Sequence, residues 1–529
     1  MKRVFARCLL TLICLAMSLS ACGAALAEGY IEVIPLRYDD ARDFSEGLAA
    51  VMIGEKWGFI DKTGKEVVPP KYDEVGDFHD GLAVVIVGDY YRVVKAAFAK
   101  GGVIDSRTWV YTWEYGFIDK TGKEVVPPQY RDAEDFCDGL ARVLVGDRET
   151  GKWGFIDKTG KEAVPPQYDW AEDFQDGLAM VFVGDTNMNW GDFGIVCGGK
   201  FGFIDRTGKE VLPIEYDKVG EFHEGMASVI KDGKLGFVDE TGAVVIPLTY
   251  EVDWPPHVAW NLEVMPFFSE GLAAIWDGDI ESGPYGYIDR DGNVVIPFDY
   301  DYAAPFSEGL AYVTKGGVLA QDDYRNIKYG QFGFIDKTGE MVVPLVYDCD
   351  YWDWGIISTE CFRDGFATVS NGIYMESMKY GIIDKTGAIT VPIEYDYIWH
   401  YGDGLMLAGF GDISEGLVEG SWGLIEGTGR EVVTVDCYDD IERFSEGFAQ
   451  VWRGGEYDPG KYGFIDIAGK EIVPCIFDEV SSFSESLAAV LVDGKWGYIA
   501  IAKQAYFSFD IPTRMSGAFV RYHPLHGSV

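Results

Sequence analysis

The sequence predicts an all-β fold built from tandem three-stranded antiparallel β-meander repeats, about eleven units in all. Three observations carry this: an aromatic-Gly step that recurs along the chain, period-two alternation after each Gly-Leu, and turn residues at fixed offsets. The step stands at Trp57-Gly58, Tyr115-Gly116, Trp153-Gly154, Phe201-Gly202, Leu235-Gly236, Tyr285-Gly286, Phe332-Gly333, Tyr380-Gly381, Trp422-Gly423, Tyr462-Gly463 and Trp496-Gly497. Its glycines are 34 to 58 residues apart. A core unit near 34 residues therefore carries insertions, the longest around Asp89 to Tyr115.

Within a unit the elements follow in order. Phe78-His79-Asp80-Gly81 reads as a turn and Leu82 to Val87 as a strand. In the last unit Asp493-Gly494, a two-residue hairpin dipeptide, leads into the strand Lys495-Trp496-Gly497-Tyr498-Ile499. Asp61-Lys62-Thr63-Gly64 places Gly at the left-handed position of a second hairpin. A third strand, Glu66-Val67-Val68, is expected to end at Pro69-Pro70, which lack ladder donors. A Tyr-Asp connector completes the unit.

Alternation assigns the faces. Ala83/Val85/Val87, Ala141/Val143/Val145 and Ala179/Val181/Val183 repeat on one face, which should be buried. Arg142, Met180, Ser228, Tyr312, Thr368 and Gln450 vary on the other, which is expected to meet solvent or a ligand. The glycine of the aromatic-Gly step implies a close approach to its backbone, expected from a neighbouring aromatic ring. One such unit is too small to fold alone, so neighbours must share a core. An open β-solenoid-like array suits eleven three-stranded units; propeller-like closed modules are the alternative. Ile34-Pro35-Leu36-Arg37-Tyr38-Asp39 matches the end of a unit and is expected to cap the array.

Lys56 to Pro70, with Tyr72-Asp73 and Phe78 to Ala83, resembles the bacterial WG repeat. The resemblance covers roughly residues 30 to 500. It implies a β-rich repeat scaffold suited to binding, and it supplies no catalytic residues.

Composition narrows the partners. The 529 residues carry 44 Lys plus Arg against 86 Asp plus Glu, a formal charge of -42. That balance excludes nucleic acid, whose phosphates need clustered cations, and disfavours anionic lipid. With 48% hydrophobic residues the chain is no disordered acidic tail. Residues 1–27 read as an export signal, with Lys2, Arg3 and Arg7 before the apolar run Cys8 to Met17. Leu19-Ser20-Ala21-Cys22 reads as a lipobox lipidated at Cys22; Ala25-Leu26-Ala27 offers ordinary cleavage after Ala27 instead. The only membrane attachment expected is that N-terminal lipid anchor, placing the protein in the cell envelope or at the cell surface, or secreted. Residues 28–500 form the repeat domain and 501–529 a divergent cap or tail. Six cysteines remain beyond the signal; Cys349 and Cys361 are the nearest pair, although apolar filler roles are expected for most.

Catalytic motifs are not found. No HExxH, Gly-x-Ser-x-Gly or phosphate-loop pattern occurs, and no metal site or cofactor is expected. An acid-Gly step precedes the first strand of nearly every unit: Glu46, Asp80, Asp138, Asp176, Glu224, Glu270, Glu308, Asp364, Asp403 and Glu446, with Glu485-Ser486 in the last. A turn role suffices, but stacked carboxylates would repel unless neutralised, which admits calcium as a minor expectation. His79 and His223 share a slot with Cys137, Gln175 and Arg363 and read as exposed turn residues. Aromatics outside the repeat frame are the candidate ligand contacts: Trp109, Trp113, Trp190, Trp254, Trp260, Trp352, Trp354 and Trp399. The expected function is a non-catalytic exported scaffold that binds a protein or a cell-envelope polymer. An envelope glycan hydrolase using paired carboxylates and a structural spacer are the alternatives.

Overall fold

A computed structural model describes residues 29–502 apart from 89, 100–101, 149, 188–194, 254–264, 280–282, 317, 321–322, 329, 349–360, 373–376, 403, 415–416, 434–437 and 456–457. All regular structure among the described residues is β. Among these residues eleven small sheets follow one another along the chain: nine have four strands, one has five and one has three. Their pairing is antiparallel except where Gly278–Asp279 joins Val244–Asp253. Two further hairpins, Tyr90–Ala99 with Gly102–Tyr111 and Val318–Ala320 with Asp323–Lys328, are insertions.

The third sheet shows the unit. Its strands run Asp132–Ala133, Leu140–Val145, Lys152–Asp157, Glu162–Tyr168 in spatial order. The expected three-strand meander thus has a fourth member. The Tyr-Asp connector continues into a two-residue inner strand, in which Asp132 and Ala133 pair with Leu144 and Val143.

The outer strand also departs from expectation. It does not end at the prolines but runs through them with a bulge, between the pairs Trp153↔Tyr168 and Phe155↔Val164. The bulge is what approaches the glycine, not an aromatic ring. A Cβ built on Gly154 would lie 2.6 Å from both the Val164 carbonyl oxygen and the Pro166 nitrogen. Backbone cannot move aside as a side-chain tip can, so Gly154→Ala should cost about 2–3 kcal/mol, read as a lower urea midpoint.

The chain ends correct the choice of architecture. Tyr30–Tyr38 pairs antiparallel with Lys495–Ile501, matching Ile34 to Tyr498 and Tyr38 to Trp496. This is the register of the outer strands in the first, third and fourth sheets, bulge included, and a Cβ built on Gly497 would lie 2.6 Å from the Ile34 carbonyl oxygen. The segment expected to cap an open array is therefore the missing outer strand of the last unit. The first and last of the described strands thus lie in one sheet, as in the propeller-like closed alternative.

The chain divides into two compact units. In the larger, which includes Val125–Val435, sheets pack face to face. Leu140, Leu144, Trp153, Phe155, Val164 and Tyr168 of the third sheet meet Ala171, Phe174, Ala179, Val181 and Ile204 of the fourth. In the smaller unit, Ile34, Tyr38, Trp496 and Tyr498 of the last sheet meet Ala41, Phe44, Ala49, Val51 and Ile60 of the first. The strand after the Gly-Leu step is thus covered on both faces. This overturns the expected solvent face: Met180, Ser228, Tyr312 and Thr368 are buried, and Gln450 donates to Ser482 of the next sheet at 3.0 Å. The repeating face is buried at Ala83, Val85, Ala141 and Val143, but its third members Val87, Val145 and Val183 run out into solvent.

Candidate functional site

Three carboxylates recur in the units, and each has a structural task. The first is the Asp of the Asp-Lys-Thr-Gly hairpin. Asp61 accepts bonds from the Thr63 amide at 2.9 Å, the Thr63 hydroxyl at 2.6 Å and the Lys65 amide at 3.1 Å. Asp119, Asp157 and Asp205 repeat this. The second is the Asp of Tyr-Asp. Asp169 accepts the Gly184 amide at 3.0 Å and ion-pairs with Lys152, as Asp478 does with the Asp493 amide and Lys461.

The third is the acid of the acid-Gly step, held at a left-handed φ near 50°. It reaches into the following sheet. Glu270 accepts the Gly309 amide at 3.0 Å and Lys337 Nζ at 3.0 Å. Asp138 takes the Gly177 amide at 2.8 Å and Arg206 at 3.0 Å. Glu308 does so with Gly365 and Lys385, and Glu485 with Gly47 and Lys62. The Lys or Arg of the neighbouring hairpin supplies the counter-charge to Glu270, Asp138, Glu308 and Glu485, a task for which calcium was a minor candidate. Among the described residues no group of three or more His, Cys, Asp or Glu side chains is placed to hold a metal ion.

These staples carry a pH signature. The Gly177 amide, then Arg206, hold the Asp138 carboxyl below its ordinary value against partial desolvation. In Glu46, desolvation pushes upward, but the bonds from Lys120 and Gly81 outweigh it and the net direction is down. A carboxyl depressed on folding contributes stability that is present above its unfolded pKa and lost as pH falls through the folded one. The thermal midpoint should therefore hold at neutral pH and fall steadily below about pH 4. In Lys385→Met the arm contributed by Glu308 should be smaller, because desolvation pushes that carboxyl up and Lys385 with the Gly365 amide outweighs it.

The inner strands carry the less regular chemistry. Arg142 lies 5.2 Å from the ring centroids of both Trp153 and Trp170, donates to the Ala171 carbonyl at 2.6 Å and pairs with Asp173 at 3.1 Å. Arg42 makes an equivalent contact in the smaller unit, over Trp57 and onto the Val75 carbonyl. Beside Arg142, burial raises the Asp132 and Glu134 carboxyls, with Arg148 and Arg142 respectively opposing. On the strand Tyr397–Gly402, burial pushes His400 down to about 4, Arg363 adding and Asp364 opposing. It is therefore neutral at pH 7.

The structure does not gather the expected aromatics into one site. Trp399 is exposed, its ring 5.3 Å from that of buried Tyr397. Trp113 is half-buried, its carbonyl accepting from Arg131 at 3.4 Å. Trp109 stands opposite Arg92 in the long hairpin. Trp190, Trp254, Trp260, Trp352 and Trp354 lie outside the described residues, as do Cys22, Cys349, Asp403 and the segments 1–28 and 503–529. Cys137, Cys361 and Cys475 are not in disulfides.

The sequence reading missed a different surface. The first residue of the outer strand is Glu66, Glu124, Glu162 and Glu210 in the first four sheets, all exposed. In the next four it is Val244, Val294, Met341 and Ile389, also exposed. The signal was legible in the aligned units, where Gly-Lys-Glu gives way to Gly-Ala-Val, Gly-Asn-Val, Gly-Glu-Met and Gly-Ala-Ile.

Comparison with known proteins finds the family described as WG containing repeat over ten stretches: 32–57, 57–91, 115–148, 153–186, 201–234, 285–318, 332–348, 380–410, 422–457 and 462–496. Together they span more than half of the chain. No curated protein matches. Among solved structures, Porphyromonas gingivalis dipeptidyl peptidase 4 is similar at 10% identity, over 80% of this chain and 66% of that one, with a TM-score of 0.28. A quinonprotein alcohol dehydrogenase-like protein from Bacteroides thetaiotaomicron is similar at 11% identity, over 70% and 84%, with a TM-score of 0.26. The tricorn protease is similar at 13% identity and a TM-score of 0.20, over 84% of this chain but 44% of that one. The chain thus spans less than half the length of that protease.

Proposed function

The chain belongs to the WG-repeat family, and we propose that it is a non-catalytic binding scaffold, exported to the cell envelope, for a protein or an envelope polymer. One observation carries this reading. The residues that repeat are engaged in packing, hairpins and inter-sheet staples, whereas exposed positions change character from unit to unit. A constant frame with a variable surface suits recognition, as in other repeat proteins. The recurrent carboxylates that a hydrolase would draw on are already hydrogen-bonded or ion-paired. Export rests on residues 1–27, with Cys22 as the proposed lipid attachment; Cys22→Ser should then release the protein from membranes.

The test is sedimentation of residues 28–529 with isolated cell walls, before and after protease stripping. Saturable binding to stripped walls would assign a polymer ligand, and binding to unstripped walls alone a protein. No saturable binding to either would overturn the scaffold reading.

A further inference from the structure

The slot that turns from Glu to Val, Met or Ile forms a surface of its own. Val244, Val294, Met341 and Ile389 are between 37% and 56% exposed, and their neighbours Val245 and Val295 are 40% and 39% exposed. They belong to four consecutive sheets of the larger unit. The hairpin before each residue is seated on the outer strand of the preceding sheet. Ideal Cβ positions at Gly292, Gly339 and Gly387 fall 3.0, 3.4 and 3.2 Å from Ile246, Ile296 and Val343. Tyr250 closes the first of these steps, its hydroxyl donating to the Gly292 carbonyl at 3.0 Å. The apolar slots therefore follow one another from sheet to sheet, each joined to the last through a seated hairpin.

Monomeric proteins seldom leave such a run of apolar side chains in solvent unless something covers it. Its rim says what. The nearby cations are each ion-paired to a carboxylate: Arg290 with Glu224, Lys337 with Glu270, Lys385 with Glu308 and Lys315 with Asp299. Glu240, Asp291, Glu340 and Glu394 remain exposed around the stripe. An apolar centre with an anionic rim is complementary to an apolar ridge flanked by cations, and a chain of charge -42 attracts such a partner over distance. A second copy of this chain would bring the same negative charge, and an anionic bilayer would be repelled.

We propose that this stripe is a docking surface for a protein partner whose apolar ridge is flanked by lysine and arginine. The proposal rests on the scaffold reading, and it can fail while wall binding succeeds.

The test uses the chain with Val244→Glu, Val294→Glu, Met341→Glu and Ile389→Glu together. Glu already occupies this slot, exposed, at Glu66, Glu124, Glu162 and Glu210, so the fold should persist, which a thermal melt verifies. The probe is a synthetic amphipathic Leu-Lys peptide, titrated by fluorescence against a Leu-Glu counterpart. The parent chain should bind Leu-Lys saturably and Leu-Glu not at all, and the four substitutions should weaken Leu-Lys binding about tenfold. Charge attraction alone predicts the opposite, because four added carboxylates would tighten it; unchanged or tighter binding overturns the proposal. Two other results would also overturn it. A dimer of the parent chain that the substitutions abolish, seen by sedimentation equilibrium, would assign a second copy. Neutral vesicles that bind the parent chain but not the substituted one would assign a lipid surface.

Discussion

A chain shortened to begin at Asp39 should lose most or all of its cooperative folding. Removing Tyr30–Tyr38 takes the outer strand from the last sheet and uncovers Trp496 and Tyr498. Tyr30, Ile34 and Tyr38 are 6%, 0% and 1% exposed, and each fully buried side chain of this size contributes about 1.5–3 kcal/mol. The sum, about 5–9 kcal/mol, is comparable with the whole stability of an ordinary domain. Urea unfolding followed by tryptophan fluorescence, against the chain beginning at Glu28, measures it. Truncation alone could act through general damage, so the strand should also be supplied in trans: a peptide of residues 30–38 is expected to restore the transition. Gly497→Val gives an independent approach, since its Cβ would stand 2.6 Å from the Ile34 carbonyl and deny the strand its place. If both variants melt like the parent, the pairing of the chain ends contributes nothing to stability.

The pairing also shows why this part of the fold resisted reading. Ile34-Pro35 to Tyr38-Asp39 was recognisable as the end of a unit, but a strand in sequence does not disclose which edge it joins. A cap and a closing strand have the same pattern; only the register onto Lys495–Ile501 separates them. Unit existence, hairpin positions and the buried Ala/Val rows were legible because each follows from local periodicity or turn chemistry. The variable positions were misplaced because alternation identifies two faces without saying that a second sheet covers both. Ser228 and Thr368 look like solvent residues until the next sheet is laid on them. The candidate aromatics fall outside the repeat. The apolar stripe lies inside it, where a change is visible only against the other copies.

Trp153→Ala is the sharpest probe of how the sheets hold one another. The ring is 5% exposed, meets Trp170 edge-on at 5.8 Å and carries Arg142 at 5.2 Å. Truncation leaves a cavity between the third and fourth sheets and should cost about 3–5 kcal/mol. It also removes one of the two rings that enclose the Arg142 guanidinium, whose bonds to the Ala171 carbonyl and Asp173 then open to water. Trp153→Phe should cost only a fraction of this, because Phe201 and Phe332 hold the same slot in their own sheets and are buried there. The pair of variants distinguishes the two contributions. A Phe variant nearly as damaged as Ala would mean that the cation-stacking surface matters more than the volume filled. An unchanged urea midpoint in Trp153→Ala would remove the ring from the packing argument altogether. Arg142→Met, which keeps bulk and deletes charge, completes the cycle: its coupling to Trp153 should be about 0.5–2 kcal/mol if the stacked guanidinium helps to fasten one sheet to the next.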